Sequence, residues 1–247
     1  MIHLVAPAKL TWSLEVTGVR EDGYHLLRSE MLSVGLIDQL ELDESADYLR
    51  VVGSATVPVD DSNLVRRALA LVGRRAGVNL DKRIPAGGGL GGGSSDAAAI
   101  LRWAGPVAPD TAVSLGGDVP FCQVGGRALV EGIGDVVTPL PFVEREVTLL
   151  LPDFGVSTAA VYAAYDELRA AGQRISGANH LEQPARHVQA RLGTLLDWAR
   201  DRYGAVHLAG SGSTVFVEGH VFDAPWGAVQ SPVGTVKWCQ TSALPAA

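Results

Sequence analysis

Cysteine is scarce in this chain of 247 residues. Cys122 and Cys239 are too few for a disulfide framework, and two free thiols in a reducing cytoplasm are the expectation. Long apolar runs are absent too: none approaches the roughly 20 residues that span a bilayer. No basic segment followed by an unbroken apolar stretch opens the sequence, so neither a membrane span nor a signal peptide is expected. Positive charge is also short. A net charge of -7 argues against an extended nucleic-acid surface, which rewards clustered Lys and Arg, but leaves room for a local site holding a small anion. There is no internal repeat. What the chain does have is apolar content, 47% of residues, enough to bury the core of one large or two modest domains.

The organising stretch is Pro85-Ala86-Gly87-Gly88-Gly89-Leu90-Gly91-Gly92-Gly93-Ser94-Ser95-Asp96, followed by the apolar run Ala97 to Leu101. Glycine lets a backbone adopt positive φ and approach a ligand closely. Ser-Ser-Asp predicts an N-cap and first turn, and the apolar run predicts a helix. A glycine-rich loop entering a helix N-terminus offers free N–H groups and the positive dipole end to a phosphate. A plain turn or linker is the alternative, poorly matched by a loop bracketed by Pro and a helix. No Lys sits within the loop, which excludes a Walker A motif. Gly87-x-Gly89-x-x-Gly92 fits the dinucleotide fingerprint, yet Asn79 to Pro85 is charged and closed by Pro rather than a hydrophobic strand.

Pro-x-x-Gly-Gly-Leu-Gly-Gly-Gly-Ser-Ser-Asp resembles the ATP-phosphate loop of the GHMP kinases, among them galactokinase, homoserine kinase, mevalonate kinase and phosphomevalonate kinase. The particular form resembles the branch that phosphorylates the 2-hydroxyl of a cytidyl diphosphate alcohol in non-mevalonate isoprenoid synthesis. Two further motifs resemble the family's: Pro7-Ala8-Lys9-Leu10-Thr11-Trp12 with Arg20 to Leu26, and Leu208 to Phe216 around Gly210 and Ser211. Between them lies Leu115-Gly116-Gly117-Asp118-Val119-Pro120-Phe121. The resemblance spans nearly the whole chain.

It implies an α+β GHMP kinase fold, with an N-terminal domain like ribosomal protein S5 domain 2 (1–143), a C-terminal ferredoxin-like domain (144–247) and the site between them. It implies ATP and Mg²⁺ as cofactors, a small-molecule substrate, no nucleic acid or membrane partner, a cytoplasmic location, and a monomer or weak homodimer. Asp118 becomes the base that accepts the substrate hydroxyl proton. Lys9 either lowers the pKa of that hydroxyl or holds it near the base. Pro85, Gly87, Gly88, Gly89, Leu90, Gly91, Gly92, Gly93, Ser94 and Ser95 hold the phosphates, with Ser94 also a Mg²⁺ contact, while Asn63 and Lys82 lie near the adenine. Tyr24 and Tyr162 stack on the two faces of the cytosine, His25 reads its edge, and Thr11, Thr158, Gly210 and Ser211 complete the substrate side. On local grounds alone Lys9 reads as a solvated side chain and Asp118 as a turn residue, 208–216 reads equally as a hairpin turn, and Tyr165 is as good a candidate as Tyr162. The sequence departs from the family at Thr11, where Asn is usual, in a short 99–115 segment, and in a short Pro/Ala-rich end. Another small alcohol substrate, such as homoserine or a mevalonate derivative, and a nucleotide-binding protein without turnover remain as alternatives.

Periodicity predicts strands at 10–16, 32–37, 39–43, 49–52, 127–131, 136–140, 147–151, 206–209, 215–218 and 235–240. It predicts helices at 64–76, after the loop, at 158–171 and at 183–198, with 172–182 a polar loop.

Overall fold

The computed structural model describes residues 1–53 and 57–246; Ala247, the end of the expected second domain, lies outside them. Two long strands, β1 (Ile2–Val19) and β2 (His25–Asp43), form an antiparallel hairpin that carries the first sheet. The stretches predicted as separate strands at 32–37 and 39–43 are one strand, bulged where Pro7 faces Ile37 and Ala8 faces Val34. β3 (Tyr48–Gly53) runs parallel to β4 (Gly77–Lys82), which pairs with the end of β2. β5 (Arg127–Gly132) pairs with the start of β2, and β6 (Val136–Pro139) follows at the edge.

Helices α1 (Leu64–Leu71), α2 (Gly92–Ala104), α3 (Pro109–Ala112) and α4 (Val119–Val124) accompany this sheet. The core they share includes Leu40, Leu42, Val65, Leu80, Ile100, Leu101 and Phe121, all essentially buried. α1 stops five residues short of the predicted Ala76. Gly73 takes φ +62, and the Arg74 N–H donates to the Leu69 carbonyl at 2.9 Å, a left-handed closure that ends a helix. The chain freed there becomes β4, a strand the sequence reading missed because Asn79 to Pro85 is charged and closed by Pro rather than a hydrophobic run.

The second sheet has the order β10-β11-β7-β9-β8, from β7 (Glu146–Leu151), β8 (Val206–Leu208), β9 (Val215–Glu218), β10 (Trp226–Ser231) and β11 (Gly234–Ser242). α5 (Thr158–Ala170), α6 (Glu182–Val188) and α7 (Ala190–Tyr203) pack with it through Leu150, Val161, Leu192, Leu195, Leu196 and Trp238. The helix predicted at 183–198 is two helices, because Gln189 is extended (φ -134, ψ 93) and its side chain caps the second. β10 was missed because it is a largely exposed edge strand with no apolar alternation.

The expected domain division at 143/144 falls between β6 and β7. Across it runs one buried cluster with members from both sheets, including Leu10, Leu32, Leu36, Ile84, Leu90, Leu149, Ala209 and Phe216. After β11 the chain returns to the first sheet, where the Leu244 N–H donates to the Ser33 carbonyl at 2.8 Å. Among the described residues no helix is long and apolar enough to cross a membrane.

One polar cluster interrupts the first core. The Lys82 ammonium, from β4, is bound by Asp38 of β2 and by Asp96 of α2 at 2.8 Å, and all three side chains are almost fully buried. The second Asp38 oxygen accepts the Arg83 and Ile84 N–H groups at 2.5 and 2.8 Å. Burial pushes the Asp96 carboxyl up to about 7 even against the pull of Lys82, and the Asp38 carboxylate adds to the rise. Removing one partner of a buried ion group leaves charge uncompensated. Lys82→Met is therefore expected to cost about 3–5 kcal/mol in chemical denaturation, and adding Asp38→Asn and Asp96→Asn to recover most of it. A loss below about 1 kcal/mol for the single variant would show that the cluster does not hold the fold.

Candidate active site

Between the two sheets lies a cavity of about 450 Å³, whose wall includes the glycine-rich loop, Lys9, Thr11, Asp118, Thr158, Tyr162, Gly210 and Ser211. The loop's backbone explains its composition. Gly87, Gly89 and Gly91 have φ of +70, +77 and +63, the left-handed region that other residues occupy at a cost. Leu90 between them is buried, and its carbonyl accepts the Lys9 N–H at 3.0 Å, fastening the loop to β1.

Gly91 is the N-cap of α2, so the helix begins at Gly92 rather than behind the predicted Ser-Ser-Asp cap. No side chain caps it. The first-turn N–H groups and the dipole end therefore stand at the cavity without a protein carboxylate or hydroxyl on them, as a phosphate requires. The Ser95 hydroxyl donates to the Pro7 carbonyl at 2.6 Å and is fully buried, so its expected place on the phosphates is corrected to a tie between α2 and β1. Ser94 remains on the cavity wall.

Above the loop sits the turn between β8 and β9. The Thr214 N–H donates to the Gly88 carbonyl at 3.1 Å. A Cβ on Gly89 would overlap the Ala209 carbonyl oxygen and stand 2.9 Å from that of Gly212. The 208–216 segment is thus a turn, as read locally, and also the cover of the loop.

Lys9 reaches along the floor. Its ammonium donates to the Thr11 hydroxyl at 3.1 Å and lies 3.2 Å from Asp118 Oδ2. Asp118 occupies the N-cap position of α4, yet its side chain caps nothing there and turns to Lys9. A nearly buried ammonium, a carboxylate open to the cavity and an uncapped helix N-terminus share one wall. That set suits transfer of a phosphoryl group to an acceptor whose proton a carboxylate can take.

Residues 63–137 match the family described as the GHMP kinases N terminal domain. The 4-diphosphocytidyl-2-C-methyl-D-erythritol kinase of Nitrosomonas eutropha is 37% identical over 242 residues, covering 86% of this chain and 86% of that protein. The kinase of the same name from Methylibium petroleiphilum is 35% identical over 245 residues, covering 89% and 85%. The chain belongs to the 4-diphosphocytidyl-2-C-methyl-D-erythritol kinase family. A crystal structure of 4-(cytidine 5'-diphospho)-2C-methyl-D-erythritol kinase aligns over 98% of this chain and 100% of that one, with TM-score 0.73 and 29% identity. The crystal structure of L. major mevalonate kinase aligns over 99% of this chain and 96% of that one, with TM-score 0.63 at 13% identity, which shows the shared GHMP kinase fold alone.

Within this kinase family the remaining expected residues divide. Pro85, Gly88, Gly92, Gly93 and Asn63 line the cavity. Asn63 also caps α1, accepting from the Val65 N–H at 2.9 Å and donating to the Pro58 carbonyl at 2.6 Å. Lys82 touches the cavity wall, but its ammonium is held by two carboxylates beneath Gly92, which makes it a brace under α2 rather than an adenine contact. The Thr158 and Ser211 hydroxyls bond each other at 2.8 Å. Tyr162 lines the cavity, and burial together with the Asp118 carboxylate raises its hydroxyl pKa. Tyr165 is buried behind it, edge-on to His25 at 5.7 Å.

Two expectations need correcting. His25 is stacked on Tyr162 at 4.6 Å with its Nε2 on Asp166 Oδ1 at 2.8 Å, and it lies outside the cavity lining. In this arrangement its ring face is taken by Tyr162 and its Nε2 by Asp166. Tyr24 is 60% exposed, under the Arg20 guanidinium at 5.4 Å, and is not assembled opposite Tyr162. Tyr24 precedes β2 and lines a separate hollow with Arg20, Arg67 and Ile133. The sequence reading also missed Asp38, Asp96 and Asn179. Asp96 stood in view within the loop motif, whereas nothing local marked the other two.

The close fit of loop and turn gives a test. Gly89→Ala is expected to force the turn off the loop and lower ATP affinity roughly tenfold or more, about 1.4 kcal/mol. Gly105→Ala, which shares a positive φ (+110) but meets nothing within 4 Å, controls for backbone strain. Calorimetry giving equal ATP affinity in both folded variants would contradict the docking of turn on loop.

Proposed function

We propose that this protein transfers a phosphoryl group from ATP to the 2-hydroxyl of 4-diphosphocytidyl-2-C-methyl-D-erythritol. The observation that carries the reading is the Lys9–Asp118 pair, 3.2 Å apart, on the same cavity wall as the uncapped start of α2. The relatives named above supply the substrate.

The chain's own residues would divide the work as follows. The first-turn N–H groups of α2 and the glycine-rich loop hold phosphate oxygens, with the helix dipole favouring their charge. Asp118, exposed to the cavity, accepts the proton of the acceptor hydroxyl. Lys9, fixed by Thr11 and by its own backbone bond to Leu90, orients that carboxylate and offers a positive charge beside the reacting oxygen. Tyr162, backed by His25, gives a flat apolar face suited to a cytosine, and Asn63 with Val57 and Pro58 borders the adenine end. ATP supplies the phosphoryl group, and Mg²⁺ neutralises charge on its phosphates. Among the described residues no three His, Cys, Asp or Glu side chains converge on a metal position, so Mg²⁺ would arrive on the phosphates, with the Ser94 hydroxyl as its protein contact. All of these groups come from one chain, so a monomer suffices. Two free, buried cysteines suit the cytoplasm.

A coupled ADP-release assay with the cytidyl substrate, homoserine and mevalonate separates this reading from its rivals. Turnover is expected with the cytidyl substrate alone, and Asp118→Asn is expected to lower kcat by roughly 10²–10⁴-fold with ATP binding retained. Preference for homoserine or mevalonate would reassign the substrate, and near-normal turnover in the variant would remove Asp118 as the base.

A further inference from the structure

The polar loop before α6 contains a side chain that no motif marks. Asn179 is nearly buried, and every hydrogen-bonding group of its amide is engaged within the protein. Its Nδ2 donates to the Leu208 carbonyl at 2.9 Å and to the Gly210 carbonyl at 2.8 Å, while its Oδ1 accepts the Leu181 N–H at 2.9 Å. Two carbonyls on one atom and an N–H on the other fix which way the amide points. The backbone on either side is stitched to β1: the Leu14 N–H donates to Ala178 and the His180 N–H to Leu14, both at 2.8 Å. The amide therefore sits on a rigid support.

The turn it grips is the one covering the glycine-rich loop. Asn179 lies behind that turn, lining a separate hollow with Trp12 and His207, whereas Gly210 and Ser211 line the active-site cavity in front. A Cβ on Gly210 would stand 3.4 Å from both Lys9 Nζ and Thr11 Oγ1, so this peptide passes directly by the catalytic ammonium. A trans peptide is planar, with its C=O and N–H opposed. Drawing the Gly210 carbonyl back to Asn179 turns the Ser211 N–H forward.

We infer that Asn179 is a positioning residue for phosphoryl transfer. It acts through the turn, holding the Ser211 N–H toward the cavity beside Lys9 as a fixed donor to an oxygen of the transferring phosphoryl group or its acceptor. Donors set in advance in this way contribute most to transition-state stabilisation, because nothing has to reorganise when charge develops. Without Asn179 two buried carbonyls lose their donor and the peptide is free to rotate. This rests on the kinase reading proposed above.

The test compares Asn179→Ala, Asn179→Ser, which keeps one donor, and Leu196→Ala, a buried core truncation in α7 far from any role in the site. All are assayed well below their unfolding temperatures, with the folded fraction checked by circular dichroism. Asn179→Ala is expected to lose roughly 10²-fold in kcat with ATP affinity little changed, the scale of effect for a misplaced reacting geometry. Asn179→Ser should recover part of that loss, and Leu196→Ala should lose stability without losing kcat. In the absence of substrate, the Ser211 amide resonance should move in the Asn179 variants and stay in place in Leu196→Ala. Asn179 variants whose kcat matches Leu196→Ala, or an unmoved Ser211 amide, would overturn the inference. If Asn179→Ala does not fold, Asn179→Ser decides by the same readouts. Absence of turnover with the cytidyl substrate in the wild-type protein would defeat the kinase reading, while the amide readout would still decide the role of Asn179.

Discussion

A buried ammonium between two buried carboxylates is the constraint on which the rest of this structure hangs. Lys82 comes from β4, Asp38 from β2 and Asp96 from the second turn of α2, so one cluster ties the sheet to the helix that opens the site. Taking such charges out of water is costly, and the arrangement persists only because each has its partners close by. Asp38 also receives the Arg83 and Ile84 N–H groups, which sets the point where the chain leaves β4 and enters the glycine-rich loop. Both ends of that loop are thereby fixed before any ligand arrives. The cluster is not neutral at high pH. Asp96, its carboxyl pushed up to about 7 by burial, contributes stability that is full below the ordinary carboxylate value of about 4 and lost as pH rises through about 7.

From that anchor the site follows by short steps. α2 starts at a left-handed glycine with no side-chain cap, which leaves its N–H groups for an anion. Ser95, one turn in, holds the helix to β1 through the Pro7 carbonyl, and β1 carries Lys9 two residues later. Lys9 meets Asp118 at the start of α4, a helix packed against α2 in the same core. The second sheet then supplies a cover, the 208–216 turn, and one aromatic face, Tyr162. Each half is incomplete alone.

Much of this was legible in the sequence, and the pattern of failures has physical causes. The phosphate loop carries a local signal in its clustered glycines ahead of a helix, whereas Lys9, Asp118 and the cover turn each have a plain local reading and stood out only through the resemblance to the GHMP kinases. β4 was hidden because a run holding Asp81, Lys82 and Arg83 does not look like a buried strand until the partners of Lys82 are known, and one of them lies 44 residues away. Ser95 and Asp96 were read as a cap because that is what Ser-Ser-Asp does before most helices. Here the glycine took that place, and both side chains turned inward. Tyr24, in the turn before β2, faces a separate hollow, and it is His25 that stacks on Tyr162. Asn179 gave no sign at all: its role depends on carbonyls 29 and 31 residues further along the chain.

The central claim is that the uncapped first turn of α2 is where nucleotide phosphates bind. Amide hydrogen exchange of the wild-type protein, with and without ATP and Mg²⁺, tests it at the atoms concerned. The account predicts that the Gly92, Gly93 and Ser94 amides exchange freely in the empty protein and become protected by ATP, while the interior amides of α2 change little. Protection of another segment by ATP with these three amides unaffected would contradict it.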